Sequence, residues 1–340
     1  MGLAFNRAQG PPVRRLLVER VQGRRTQSER RLARRNVSLR DAALAPRTVR
    51  AYRHAFLQLW NWLGLSPPTR VDDVRAYDTA LSGFIEHCWE EGYTRGLAGN
   101  ALSASIAAFP ELRGGVRESW WLLNAWARVE LPTRAPPLDP LLALAVIHSF
   151  LEQDDAAGAF LIALGFDCFL RTGEMMGLRI SDLLFEKGGT AGAVRLAHTK
   201  SGQRNAACEA LTINDPMVGR LWQLACLERP PGTHSENPVY EGGAPVFREH
   251  FRCALRRCEV EHLNYKPYSI RRGGATAFFR RTGNMPAAIE RGRWATSKVA
   301  RIYICDGYAM QIRLAQPRAL RRRWLERAER LLRALERHSR

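Results

Sequence analysis

Apolar positions in the first third of the chain recur at helical spacing. Val49, Tyr52, Phe56, Leu59, Trp60 and Leu63 fall three and four apart, which puts them on one face of a helix. A second run over 71–89 carries Val74, Leu81, Phe84, Ile85 and Cys88 in the same way. Two further helices are predicted over 98–109 and 116–129. Few β-branched runs interrupt this pattern. Residues 46–130 therefore read as a small all-helical domain of about four helices, with the Trp and Leu side chains in its core.

Three prolines in the seven residues 131–137 block both helix and sheet, so this stretch reads as a linker. The pattern beyond it is different. Two strongly apolar helices are predicted over 141–151 and 156–170, then a strand pair at 193–198 and 207–213. The turn between the strands holds Lys200-Ser-Gly-Gln203, with the glycine that a tight hairpin needs. The remainder of 138–316 reads as helical. After Pro317, Leu320, Trp324, Ala328, Leu331 and Leu335 repeat at helical spacing with arginines between them, a C-terminal amphipathic helix over 317–340. The fold class is mainly α with one small β-sheet.

A length of 340 residues and a hydrophobic share of 46% allow two domains with real cores. The charge adds a partner. Lys and Arg total 52 against 33 Asp and Glu, for a formal net charge of +19. Such a chain repels itself when compact, and a polyanion relieves the repulsion. Nucleic acid is the leading partner, with an anionic membrane as the weaker rival. Residues 1–45 form a basic arm. Its arginines at 7, 14, 15, 20, 24, 25, 30, 31, 34, 35 and 40 face only Glu19, Glu29 and Asp41. The arm has three open readings: a segment that orders on a phosphate backbone, a nuclear-import address, or a solvated tail. The seven cysteines show no C-x-x-C and no zinc-ligand spacing with histidine. Their odd number and the lack of a secretory signal point to a reducing, intracellular location. No apolar stretch is long enough to span a bilayer. No metal or cofactor is expected.

Four segments carry candidate chemistry. They are Leu170-Arg171-Thr-Gly-Glu174-Met-Met-Gly-Leu178-Arg-Ile-Ser-Asp182, His198-Thr-Lys200-Ser-Gly, Tyr268-Ser-Ile-Arg271-Arg272-Gly-Gly-Ala275-Thr, and Gly292-Arg-Trp294-Ala-Thr-Ser-Lys-Val-Ala-Arg-Ile-Tyr303. In this order and spacing they resemble the boxes of the tyrosine recombinase (phage-integrase-like) family. That family has Arg-x-x-Glu-x-x-x-Leu-x-x-x-Asp, a lysine on a β-hairpin, His-x-x-Arg, Gly-x-(His/Trp), and a tyrosine nine residues on. The resemblance spans about residues 46–310, and the wording of the last two segments is most similar to recombinases of eukaryotic mobile elements.

The resemblance implies a helical DNA core-binding (SAM-like) domain at 46–130 and a catalytic domain at 138–316. The two would clamp double-stranded DNA and assemble on it as a homo-oligomer, a tetramer. Such a protein would be nuclear if eukaryotic. The implied reaction cuts and rejoins DNA through a 3′-phosphotyrosyl link to Tyr303. Arg171 and Arg271 would bind the nonbridging phosphate oxygens, whose charge grows in the transition state. Lys200 would protonate the leaving 5′ oxygen, and Trp294 would donate its indole N–H to the phosphate. Glu174 would orient an arginine from one helical turn away, and Asp182 would cap a later element. Tyr268 stands where the family has His, and with a phenol pKa of about 10 it is a poorer proton shuttle. That departure keeps a second reading open, a DNA-binding relic without turnover. Strand relaxation of the type IB topoisomerase kind is a third. Tyr308 is a rival nucleophile five residues beyond Tyr303. The apolar stripe of the last amphipathic helix has two docks, its own domain or a neighbouring protomer, and because Pro317 separates it from the catalytic domain the neighbour is favoured.

Overall fold

The computed structural model describes residues 43–131, 134–186, 188–189, 191–196 and 209–337, with a few positions between 26 and 35. Most of the basic arm, the hairpin tip with Lys200, and the strand ends beyond 196 and before 209 lie outside the described residues. The chain divides into two compact units, Met1–Thr133 and Arg134–Arg340.

The first unit holds four long helices: α1 (Pro46–Leu63), α2 (Val74–Glu90), α3 (Arg95–Ala108) and α4 (Arg117–Val129). Each boundary has a local cause. Gly64, at φ 65, takes the left-handed turn that ends α1. The Asp73 carboxylate accepts the Arg75 and Ala76 amides and so starts α2. Thr94 does the same for Leu97 in α3. The expected apolar faces meet in one core, with Phe56, Leu59, Leu81, Phe84, Ile85, Leu102 and Leu123 buried. Buried Asp78 of α2 accepts the amides of Glu118 (2.9 Å) and Ser119 (3.1 Å) and the Ser119 hydroxyl (2.5 Å). It satisfies the otherwise unpaired first donors of α4 and ties the two helices together.

In the second unit α5 (Pro140–Leu151) and α6 (Ala156–Asp167) have almost no polar face, and most of their residues are buried. Around them pack α8 (Pro216–Leu227), α9 (Gly243–Arg257) and α10 (Tyr268–Thr282). A one-turn helix, α7 (Thr172–Met175), follows α6. The sheet is antiparallel in the order β1 (Leu183–Phe185), β2 (Gly192–Leu196), β3 (Glu209–Ile213), with Val194 opposite both Leu183 and Leu211. The expected strand pair corresponds to β2 and β3. β1 was not anticipated, because three residues are too few for an alternating pattern to register. Asp182, just before β1, accepts two bonds from Arg195 of β2 (3.1 and 3.0 Å) and one from the Arg179 amide (3.0 Å). It caps one element and clasps another.

Two expectations are corrected near the candidate chemistry. The helix read over 156–170 stops at Asp167, because Phe169 adopts a left-handed backbone (φ 49) and reverses the chain. Arg171 is not on a helix one turn before Glu174. It is extended (φ −73, ψ 149) and precedes α7, with Glu174 reaching back to accept its amide at 2.8 Å. Behind them, Gly273 and Gly274 let α10 lie against bare backbone. A Cβ would come within 2.2 Å of the Leu138 carbonyl at the first and 1.9 Å of the Phe166 carbonyl at the second. This close approach brings the start of α10 to the end of α6.

The chain ends with α11 (Met285–Gly292), α12 (Ser297–Tyr303), α13 (Asp306–Ala315) and α14 (Arg318–Arg337). Here a third expectation fails. The apolar stripe of α14 does not wait for a neighbouring protomer. It lies along α5 of its own unit, burying Leu320, Trp324, Ala328, Leu331 and Leu335. Pro317 does break the helix, but extended Gln316 (φ −79, ψ 137) turns the chain back instead of away. The seam is also polar. The Trp324 indole donates to the Cys258 carbonyl at 3.0 Å, Arg327 to Glu152 at 2.7 Å, and Arg323 to Glu259 at 2.8 Å. No helix among the described residues is long and apolar enough to cross a membrane.

The docked helix makes Trp324 a core residue. Trp324→Ala should destabilise the protein by about 3–5 kcal/mol, the usual cost of removing a buried Trp. A urea unfolding curve measures this. An unchanged midpoint would mean that α14 does not pack on its own domain.

Candidate active site

The local reversal at Phe169 sets up the site. It turns the Phe169 carbonyl towards α10, where Arg271 lies fully buried. The Arg271 guanidinium donates through Nη1 to the Phe169 carbonyl and through Nη2 to the Gly292 carbonyl at 2.8 Å. It therefore joins the ends of α6 and α11. Its flat face looks onto the rings of Tyr303, 4.8 Å from the centroid, and Trp294, 5.2 Å. Burial, together with Arg171 and Arg293 nearby, pushes the Arg271 group down to about 10. It is still charged at neutral pH.

Arg171 reaches the same place from the other side. Its Nη1 donates to Glu174 Oε1 at 2.6 Å, and its charge acts on the Tyr303 phenol. Burial alone would raise the Glu174 carboxyl. Arg293, the Arg171 amide and the charges of Arg171 and Arg271 outweigh it and hold the group below its ordinary value. The network is thus three guanidinium groups around one carboxylate.

Tyr303 is the last residue of α12. Its ring stacks on Trp294 at 4.9 Å and 26°, and lies 5.7 Å from the Tyr268 ring. Trp294 in turn stacks on Phe169 at 6.2 Å. The Tyr303 carbonyl accepts from Thr276 Oγ1 at 3.3 Å, and the Cys305 amide donates back to Thr276 Oγ1 at 3.1 Å. α10 therefore pins the end of the helix that carries the phenol. The two phenols act on each other's ionisation in opposite directions. Burial and the neighbouring Tyr303 push Tyr268 up, so Tyr268 is the one that keeps its proton. Burial alone would raise Tyr303, but the neighbouring Tyr268 phenol and the charges of Arg271 and Arg171 outweigh it and lower the group. Tyr303 is thus a stronger acid than a free phenol. The buried indole N–H of Trp294 has no hydrogen-bond partner among the described residues.

The structure thus brings together Arg171, Glu174, Tyr268, Arg271, Trp294 and Tyr303, from segments up to 132 residues apart in sequence numbering (171 to 303). Lys200 falls outside the described residues. Tyr308 sits exposed on α13. Sequence reasoning missed three participants. Arg293 bonds Glu174 at 3.0 Å, Thr276 anchors Tyr303, and buried Arg272 donates to the Cys305 thiol at 2.7 Å. All three lie inside or directly after the matched segments, but nothing in their spacing separates them from ordinary helix residues.

No protein-family model matches this chain, and no curated protein matches it. Solved structures do. The chain is similar to the Tn1549 transposon integrase in complex with transposon right end DNA, with a TM-score of 0.56 and 14% identity over 85% of this chain and 98% of that one. It is similar to a lambda integrase dimer bound to a COC′ core site, at TM-score 0.53 and 13% identity over 86% and 85%. It is also similar to the XerH site-specific recombinase bound to difH substrate, at TM-score 0.52 and 13% identity over 88% and 87%. At these identities the likeness is one of fold, and the mainly helical chain with its three-stranded antiparallel sheet has the tyrosine recombinase fold.

Proposed function

We propose that this protein is a site-specific DNA recombinase that cuts and rejoins strands through Tyr303. The observation that carries the reading is the Tyr303 hydroxyl itself. Its ring lies 4.8 Å from the Arg271 guanidinium and 5.7 Å from the Tyr268 ring, and the charges of Arg271 and Arg171 hold the phenol below its ordinary value. A phenolate beside two arginines suits attack on an anionic phosphodiester. The Tyr303 oxygen would bond to phosphorus and the bond to the 5′ oxygen would break. A 3′-phosphotyrosyl strand end and a free 5′ hydroxyl result. The proton for the 5′ oxygen is assigned to Lys200, in the segment joining β2 to β3. Reversal by a 5′ hydroxyl from a second duplex would complete an exchange, with no hydrolysis and no outside energy source.

Three further features support a DNA substrate: the net charge of +19, the fold shared with DNA-bound integrases, and the unpartnered Trp294 N–H, which would donate to the phosphate. A kinship with recombinases of eukaryotic mobile elements rests only on the wording of two segments, Arg271-Arg272-Gly-Gly-Ala-Thr and Arg293-Trp294 to Ala300-Arg-Ile-Tyr303. Assembly as a tetramer on DNA would need an apolar face other than α14. α13 exposes Met310 and Leu314 one turn apart on one face, and none of its residues is buried. A second reading, a DNA-binding relic, draws on Tyr268 in place of the usual His. The Tyr268 phenol beside Tyr303 argues against it, because a neutral neighbour that lowers the Tyr303 ionisation supplies activation by another route than a base.

The test is a nicked suicide duplex that traps the covalent adduct, read on a denaturing gel beside filter binding. Tyr303→Phe should abolish the adduct and leave DNA affinity nearly unchanged, since only a hydroxyl is deleted. Arg271→Ala should damage both. An adduct from Tyr303→Phe would disprove the nucleophile assignment, and strong binding with no wild-type adduct would favour the relic. The pH dependence supplies a separate test. Attack needs the phenolate, so cleavage rises with pH towards the Tyr303 ionisation. Tyr268→Phe removes the neutral hydroxyl that acts on that charge, which is worth a factor of about ten or more in rate at neutral pH. The alkaline limb of the rate profile should move to higher pH. A profile that keeps its position would show that Tyr268 does not act on Tyr303.

A further inference from the structure

Arg293 ends α11 with a left-handed backbone, φ 54 and ψ 45. Glycine takes that conformation at little cost and an arginine does not. The side chain is nevertheless buried, only 7% exposed. Nη2 donates to Glu174 Oε2 at 3.0 Å and makes a long bond to the Phe169 carbonyl at 3.4 Å. Nε lies 3.7 Å from Glu209 Oε2 on β3. Nε and Nη1 have no hydrogen-bond partner among the described residues. Backbone strain, a buried charge and unmet donors are three costs at one residue. They persist where the surroundings hold the residue for a purpose. A glycine would turn the chain towards Trp294 without the strain, so the turn alone does not account for the arginine.

Glu174 supplies the reason. Its carboxylate accepts Arg171 Nη1 on Oε1, and the Arg171 amide and Arg293 on Oε2. Arg271 Nη1 waits at 3.9 Å from the same Oε2. With Arg293 gone, a buried carboxylate would be short of a partner and Arg271 is the nearest cation to answer it. Arg271 would then turn from the Tyr303 ring and from any anion beside it. We propose that Arg293 is a positioning residue: it saturates Glu174 so that Arg271 and Arg171 stay directed at Tyr303. For the phosphate that would lie there, this rests on the strand-cutting reading above.

The experiment uses the full chain. Arg293→Gly keeps the left-handed turn and removes the cation. Arg293→Asn, which also tolerates that backbone, serves if the glycine variant fails to fold. Glu174→Gln removes the charge that Arg293 answers. Tyr303 ionisation is read without DNA, as the ultraviolet difference between each background and its Tyr303→Phe counterpart. In Arg293→Gly the phenol should titrate higher by about 1 pH unit, as expected when cations withdraw from an acid. In Arg293→Gly/Glu174→Gln it should return towards the wild-type position. A purely structural role predicts the opposite for the pair, since the double variant loses one more bond. Identical titration in all backgrounds would overturn the inference. Adduct formation is measured in parallel. Arg293→Gly should slow it roughly tenfold or more, and Arg293→Lys should recover part of the loss, with DNA affinity held within about threefold because the residue is buried away from the backbone charges. The outcomes separate cleanly. No wild-type adduct with a shifted Tyr303 sinks strand cutting and keeps the Arg293 role. A wild-type adduct with an unshifted Tyr303 sinks only the Arg293 role.

Discussion

Arg271 is the constraint on which the candidate site depends. A fully buried guanidinium is costly unless it is hydrogen-bonded, and here two backbone carbonyls take its Nη1 and Nη2 donors: Phe169 at the end of α6 and Gly292 at the end of α11. Satisfying that one side chain fixes three pieces of chain at a single point. The left-handed Phe169 exists to present its carbonyl, and Gly273 and Gly274 exist so that α10 can come close enough. Once Arg271 is held, its flat face looks onto the rings of Tyr303 and Trp294. Structural demand and chemical use are met by the same group.

The electrostatics follow from that placement. Three arginines surround Glu174, so the centre is net positive although it is partly buried. A positive, desolvated pocket stabilises a phenolate and would stabilise the extra charge on a phosphate under attack. The neutral Tyr268 phenol beside Tyr303 works in the same direction. A histidine in its place could exchange a proton, whereas a tyrosine that keeps its proton is a poor proton shuttle.

Much of this was legible in the sequence, for reasons that can be stated. The α1 face at Phe56, Leu59 and Trp60 and the stripe at Leu320, Trp324 and Leu331 showed because burial imposes a period that apolar residues must follow. Arg171, Arg271, Trp294 and Tyr303 showed through order and spacing. What did not show depends on contacts rather than period. A short strand at Leu183–Phe185 has no pattern to detect. The left-handed turns at Phe169 and Arg293 use residues that give no turn signal. The docking of α14 on its own unit is decided by an apolar face on α5, which is apolar all round and so points nowhere in sequence. Arg293 was passed over because a lone arginine beside a glycine looks like a solvated helix end.

The central claim is that Tyr303 becomes covalently joined to DNA. The most direct measurement is mass spectrometry of the trapped complex. The adduct on a nicked duplex is digested with nuclease and protease, and the peptide that retains a nucleotide is sequenced. The account predicts one nucleotidyl-tyrosine, at Tyr303, with the phosphate attached as a 3′ ester. A modified peptide carrying the nucleotide on Tyr308 or Tyr268, or a phosphate attached through a 5′ ester, would contradict it.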